Sequence, residues 1–192
     1  MRVEGESLPG SQLVRVTERV LKNKMIKESQ EKYLATLPDG EFIDIKPFDP
    51  RVQEVARGIL DELKKVLPDL TIHFGGAAAL GIAGQNDIDI NIPSAPEEYD
   101  KYTPAIEKLF GEPKKRGTSI KWEFMKDGFD VELYLTDKNS PNLKEQIRVF
   151  EILSKSKELR DDYEKTKLPY GSINFKEYMR KKYEFFNKIL EN

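Results

Sequence analysis

The chain has 192 residues, 38% hydrophobic and 34% charged, with a formal net charge of −2. That composition suits one sizeable core with a small helical appendage, argues against disorder, and supplies no global pull toward nucleic acid or an anionic membrane. With no cysteine and a single histidine, there is no disulfide framework, thiolate zinc site or cysteine nucleophile, and His-rich metal sites and Ser-His-Asp chemistry are disfavoured.

Residues 11–38 place Leu13, Val14, Val16, Val20, Leu21, Met25 and Ile26 at helical spacing until "LPDG" ends the pattern, so residues 1–40 are expected to form an N-terminal helical arm. "FIDIKPFDPR" reads as extended and closes on a Pro-bounded turn at which Asp49 can start a helix. Residues 50–66 carry Val52, Val55, Ile59, Leu60 and Leu63 on one stripe of an amphipathic helix. "TIHF" is a short strand, followed by the Gly75-Gly76 turn, a short helix over residues 77–82 and a second strand over residues 87–92. "PEEYDKYTPAIEKLFG" supplies another helix, closed by Gly111. "SIKWEFMK" and "FDVELYLTD" are strands whose "DG" junction signals a hairpin. From Asn142 onward the pattern is helical, broken at "KLPYGSINF". The order gives a mixed α+β chain: a core over residues 41–140 with a small mixed β-sheet flanked by helices, and C-terminal helices over residues 141–192 packing on it. No apolar run is long enough to span a bilayer and no signal peptide is visible, so a cytoplasmic soluble protein is expected.

Chemistry concentrates after the glycine turn. Ten residues separate Gly76 from "DID", where Asp87 and Asp89 share one strand face between Ile88 and Ile90. In "FDVELYLTD", Phe129, Val131, Leu133 and Leu135 take one face, leaving Asp130, Glu132 and Tyr134 on the other. If the two strands lie side by side, several carboxylates converge. Like charges raise one another's pKa, and Mg²⁺ relieves the strain, taking its remaining oxygens from water and substrate phosphates. Two such ions could clamp an in-line phosphoryl displacement. The strand–Gly-Gly–helix element aims backbone N–H groups at an anion, with no Cβ at the glycines to hinder it.

The glycine turn, a ten-residue spacer and DxD together resemble the G-S-x(n)-D-x-D signature of the DNA-polymerase-β-like nucleotidyltransferase superfamily. The chain resembles the GrpB-like family within it more closely still, over about residues 42 to 190. The segments that carry this are "KPFDPR", "HFGGAAALGIAG" and "DYEKTK". The resemblance implies a nucleotidyltransferase fold, Mg²⁺ or Mn²⁺ as cofactor and a nucleoside triphosphate as substrate. It makes Asp87 and Asp89 metal ligands and catalytic residues, with Asp130 as the third carboxylate and Glu132 as its alternative. Gly75, Gly76 and Lys167 would contact the nucleotide phosphates. Three departures stand out: Gly76 replaces the superfamily's Ser, Arg148 is out of register with a family arginine, and Asp87 stands where the family has an apolar residue.

The expected function is therefore transfer of a nucleoside monophosphate from an NTP to an acceptor, which the residues leave open among a small molecule, a protein and an RNA end. A catalytically inactive nucleotide- or metal-binding module of the same fold is the alternative, and a structural protein that oligomerises through its N-terminal arm a third. His73, Trp122 and Phe124 read as packing residues. "KKR" at 114–116 and "RKK" at 180–182 read as solvated charge.

Overall fold

A computed structural model describes residues 26–191. Of the expected N-terminal arm, only α1 (Glu28–Thr36) falls among them, and residues 1–25 lie outside. β1 (Phe42–Ile45) leads to α2 (Arg51–Val66), a helix because Val52, Ala56, Ile59 and Leu63 recur on one fully buried face. Lys64 and Lys65 lie in its last turn, where the helix dipole favours cations. β2 (His73–Gly75), the five-residue α3 (Gly76–Leu80) and β3 (Ile88–Ser94) follow. A 3₁₀ turn over Pro96–Glu98 then enters α4 (Tyr99–Phe110), closed at Gly111 as the sequence indicates. β4 (Ser119–Lys126) and β5 (Phe129–Asp137) form the expected hairpin about Asp127 and Gly128, both at positive φ. The chain ends with α5 (Pro141–Lys155), α6 (Lys157–Lys165), β6 (Gly171–Asn174) and α7 (Phe175–Leu190).

The main sheet runs β2-β3-β5-β4. β3 pairs antiparallel with β2 and parallel with β5, and β4 pairs antiparallel with β5. Its register follows from the period-two pattern. Ile88, Ile90 and Ile92 on β3, Val131, Leu133 and Leu135 on β5, and Ile120 and Trp122 on β4 all enter one core against α2 and α4. Trp122 is buried there with its indole N–H on the Gly111 carbonyl at 3.0 Å, and Phe124 stacks on Phe110 at 4.7 Å, so both aromatics pack as expected. Alternation leaves the opposite face of the sheet polar. A second cluster joins α5, α6 and α7 through Val149, Leu153, Tyr163 and Ile189, reaching Ile82 just after α3. α1 docks on α7 through Leu34 and Met179, with a bidentate Arg180–Glu31 pair at 2.8 and 3.0 Å.

One element differs from expectation. The break at "KLPYGSINF" contains β6, which pairs antiparallel with β1 as a second, two-stranded sheet, from Phe42↔Asn174 to Ile45↔Gly171. "GSIN" has no strand signature of its own. Its backbone is ordered by hydrogen bonding to a segment over a hundred residues earlier, and that pairing ties the C-terminal helices back to the start of the core. Among the described residues no helix is long and apolar enough to cross a membrane.

Because β3 is interior and Ile90 is fully buried, Ile90→Ala is expected to cost about 2–5 kcal/mol, transfer plus cavity. Urea unfolding would read this as a lower midpoint at unchanged slope.

Candidate functional site

β3 has its hydrophobic side fixed by Ile88, Ile90 and Ile92, so Asp89 and Asn91 must project from the polar face. Asp89 lies across from Gly75 on β2 and from Glu132 on β5. Asp87 immediately precedes the strand, at the end of a loop that several elements hold. Lys46 and Gly84 exchange backbone hydrogen bonds at 2.8 and 3.1 Å. Asn86, in the left-handed region at φ 58°, donates to the Pro47 carbonyl at 3.0 Å and accepts from the Asp49 amide at 3.2 Å. Glu164 on α6 accepts the Ala83 amide at 2.8 Å, and Lys167 donates to the Ala83 carbonyl at 2.6 Å. Gly84 admits no side chain, since a Cβ there would come 2.7 Å from that of Ala77.

The two aspartates are half-buried and poorly served. Besides its own backbone amide, Asp87 receives just a long contact from the Gln85 amide, at 3.4 Å, and no described residue donates a hydrogen bond to Asp89. Burial, and then the Asp87 charge, push the Asp89 carboxyl up to about 7. Burial raises Asp87 as well. An adjacent pair of carboxylates with so few donors is a ligand set that suits a divalent cation, which binds through one or two carboxylates and completes its shell with water and phosphate oxygens. Gly76, at φ +73°, lies directly against Asp89: a Cβ there would fall 2.2 Å from the Asp89 Oδ2. The glycine in place of the superfamily's serine is thus a steric requirement of where Asp89 points.

The other expected site residues separate. Glu132 sits beside Asp89 in register, but both its oxygens are engaged, Oε1 by the Lys121 ammonium at 2.9 Å and Oε2 by the Tyr134 hydroxyl at 2.7 Å. Asp130 alternates onto the same face, is exposed, and lies opposite Met125. Among the described residues no three acidic or imidazole side chains come together closely enough to hold one ion, so the expected Asp87-Asp89-Asp130 ligand triad is not assembled as a single cluster. Gly75 and Gly76 stand at the β2–α3 junction as expected. Lys167 does not present its charge to a nucleotide. Its side chain is completely buried, 4.2 Å over the Tyr163 ring and spent on the Ala83 carbonyl, and burial lowers it to about 7. His73 is half-buried on β2, and burial lowers it.

The sequence reading missed Lys182. Taken as solvated charge with its neighbours, it is half-buried instead, with its ammonium 5.6 Å from the Phe186 ring. Burial alone would depress it, yet Tyr178, Asp89 and Asp87 together hold it above its ordinary value, and it in turn pulls both aspartates down. Its position, one turn before Phe185 and Phe186 on the face that packs against Tyr163, is the signal that could have marked it as inward.

The family model for the GrpB protein matches residues 42–192. The crystal structure of the conserved protein GrpB from Enterococcus faecalis aligns over 77% of this chain and 99% of its own, at 11% identity and a TM-score of 0.56, a likeness of fold. Two structures of the Cid1 poly(U) polymerase, one with MgGTP bound, align over 64% and 65% of this chain at 19% and 20% identity, each with a TM-score of 0.45. This chain spans 42% and 41% of their lengths, a likeness too distant to bear on chemistry. No curated protein matches the sequence.

Two outcomes follow from this geometry. Gly76→Ser should lower the melting temperature and cost at least about 1–2 kcal/mol from the left-handed backbone alone, whereas Gly75→Ser, with nothing within 4 Å of a new Cβ, should be nearly neutral. In chelator-containing buffer, stability should pass through a minimum near pH 7. The folded state keeps a proton on Asp89 that the unfolded chain, at 3.8, has released, so stability falls as pH rises from about 4 to 7. The unfolded chain keeps a proton on Lys167, up to 10.5, that the folded state has lost, so stability rises again above 7. Denaturant midpoints across pH check this, and Asp89→Asn should reduce the acid-side fall, leaving the part that the raised Asp87 carboxyl contributes, without altering the rise above pH 7.

Proposed function

The chain belongs to the GrpB family, and on that premise we propose that it is a metal-dependent nucleotidyltransferase, moving a nucleoside monophosphate from an NTP to an acceptor hydroxyl with release of pyrophosphate. One observation carries the reading: Asp87 and Asp89 stand together, half-buried, with almost no hydrogen-bond donors of their own. A fold bears that cost when a cation arrives with the substrate.

In this reading Asp87 and Asp89 hold Mg²⁺ or Mn²⁺, which when bound offsets charge on the transferring phosphoryl group. The open backbone at Gly75 and Gly76 borders the nucleotide's phosphates, with no side chain on that edge. Lys182 adds positive potential from α7. Asp130, exposed on the same sheet face, is the acid left to take the acceptor's proton. Most of the acceleration comes from positioning and fixed charge, as in phosphoryl transfer generally.

The second reading, a nucleotide- and metal-binding module without turnover, is favoured by Glu132, the third acid in register, being tied to Lys121 and Tyr134. Calorimetry with each NTP and Mg²⁺, followed by a pyrophosphate-release assay over candidate acceptors, separates the two, since binding without release supports the module. For the enzyme, Asp89→Asn is expected to lower metal-dependent pyrophosphate release by roughly 10²-fold or more. A rate equal to wild type would remove Asp89 from the mechanism.

A further inference from the structure

We propose that Glu164 and Lys167 are positioning residues: together they grip both backbone polar groups of Ala83 and so fix the loop that delivers Asp87 to its cation. The proposal rests on the reading of Asp87 and Asp89 as metal ligands and concerns what holds the first of them in place.

The grip is made of direct contacts. Glu164 accepts the Ala83 amide at 2.8 Å, and Lys167 donates to the Ala83 carbonyl at 2.6 Å. The next residue, Gly84, has its amide and carbonyl on the backbone of Lys46, at 3.1 and 2.8 Å. Two residues further on, the Asn86 side chain is bonded to the Pro47 carbonyl and the Asp49 amide. Ala83, Gly84 and Asn86 are thus each tied to another segment of the chain, and Asp87 follows directly. Of these ties, only those to Ala83 come from the C-terminal helices.

Stability alone does not account for Lys167. Its side chain is completely buried, and its ammonium meets the Ala83 carbonyl and, at 4.2 Å, the face of the Tyr163 ring. Among the described residues no carboxylate is in ion-pair contact with it. Withdrawing such a charge from water is costly, and an apolar side chain of similar volume would fill the space at lower cost. What an apolar residue cannot do is donate to that carbonyl. The helical turn continues past α6, with the Lys167 amide on the Glu164 carbonyl at 3.0 Å, so Lys167 stands one turn beyond Tyr163 and Glu164. Tyr163 in turn stacks against Phe185 and Phe186 of α7. The clamp is therefore seated on the C-terminal core and reaches across to the loop.

Cation affinity tests this without reference to turnover. The full chain is titrated with Mn²⁺ in the presence of the α,β-methylene analogue of each of the four NTPs, free Mn²⁺ is read by electron paramagnetic resonance, and denaturant midpoints are taken in parallel so that affinities refer to folded protein. Lys167→Met is expected to weaken Mn²⁺ binding on the order of 10-fold, the low end of what an outer-shell partner is worth. Loss of the lysine's charge by itself would act in the opposite direction and tighten it, so binding equal to or tighter than wild type overturns the proposal. The half-buried Glu164 decides the matter even if Lys167→Met does not fold. Glu164→Leu should weaken binding, while Glu164→Gln, which keeps an acceptor for the Ala83 amide, should bind as wild type does; equal losses in the two, or none in Glu164→Leu, overturn the role of that bond. Leu63→Ala, a cavity in the main core, should lower the midpoint and leave affinity unchanged, and a matching loss of affinity there would show that binding merely follows stability, overturning the proposal. Wild-type binding that is absent, or indifferent to Asp89→Asn, would instead remove the reading of the acids as ligands, a result distinct from wild-type affinity in Lys167→Met.

Discussion

Two like charges held side by side at the mouth of the main sheet are the constraint around which the rest of this fold is arranged. Left to themselves, Asp87 and Asp89 would turn apart into water. They cannot, because Ile88, Ile90 and Ile92 are locked into the core and a one-residue slip would bury the acids and expose the isoleucines. The hydrophobic side of β3 thus supplies the energy that keeps an electrostatically unfavourable pair in place. Coupling a strained polar face to a well-packed apolar one is how functional sites are commonly sustained.

The segments by which the chain resembles its family serve that same constraint. The stretch around Lys46 to Asp49 and the end of α6 both grip the loop before Asp87, through backbone pairing at Gly84, the Asn86 side chain, Glu164 and Lys167. Lys167 shows how a residue of a family-like motif can act inside the fold. Its buried ammonium, resting on Tyr163, fixes a carbonyl two residues before Gln85 and thereby the direction in which the chain enters β3. The C-terminal helices are then part of the site's construction: α6 sets the loop, and α7 brings Lys182 toward the acids.

On the polar face, charges are sorted by partner. Glu132 and Glu123 are satisfied by Lys121, itself held well above its ordinary value by Glu123, Tyr134 and Glu132 despite its burial. Asp87 and Asp89 have no such partner at contact distance. That contrast between neighbouring strands separates a structural ion-pair network from a site with unmet demand.

The amino-acid sequence by itself determined the α+β class, the four strands of the main sheet, the hairpin at Asp127-Gly128 and the shared face of Asp87 and Asp89, because each rests on local periodicity or turn chemistry. It also marked Gly76 as unusual. Only the tertiary structure decided which acid stands beside Asp89, that Lys167 faces inward, that "GSIN" is a strand and that Lys182 is half-buried beside Phe186. These depend on strand register and on helices arriving from a hundred residues away. Whether a charged side chain meets water or a carboxylate is fixed by what packs across from it, and the spacing of its own segment carries no record of that partner.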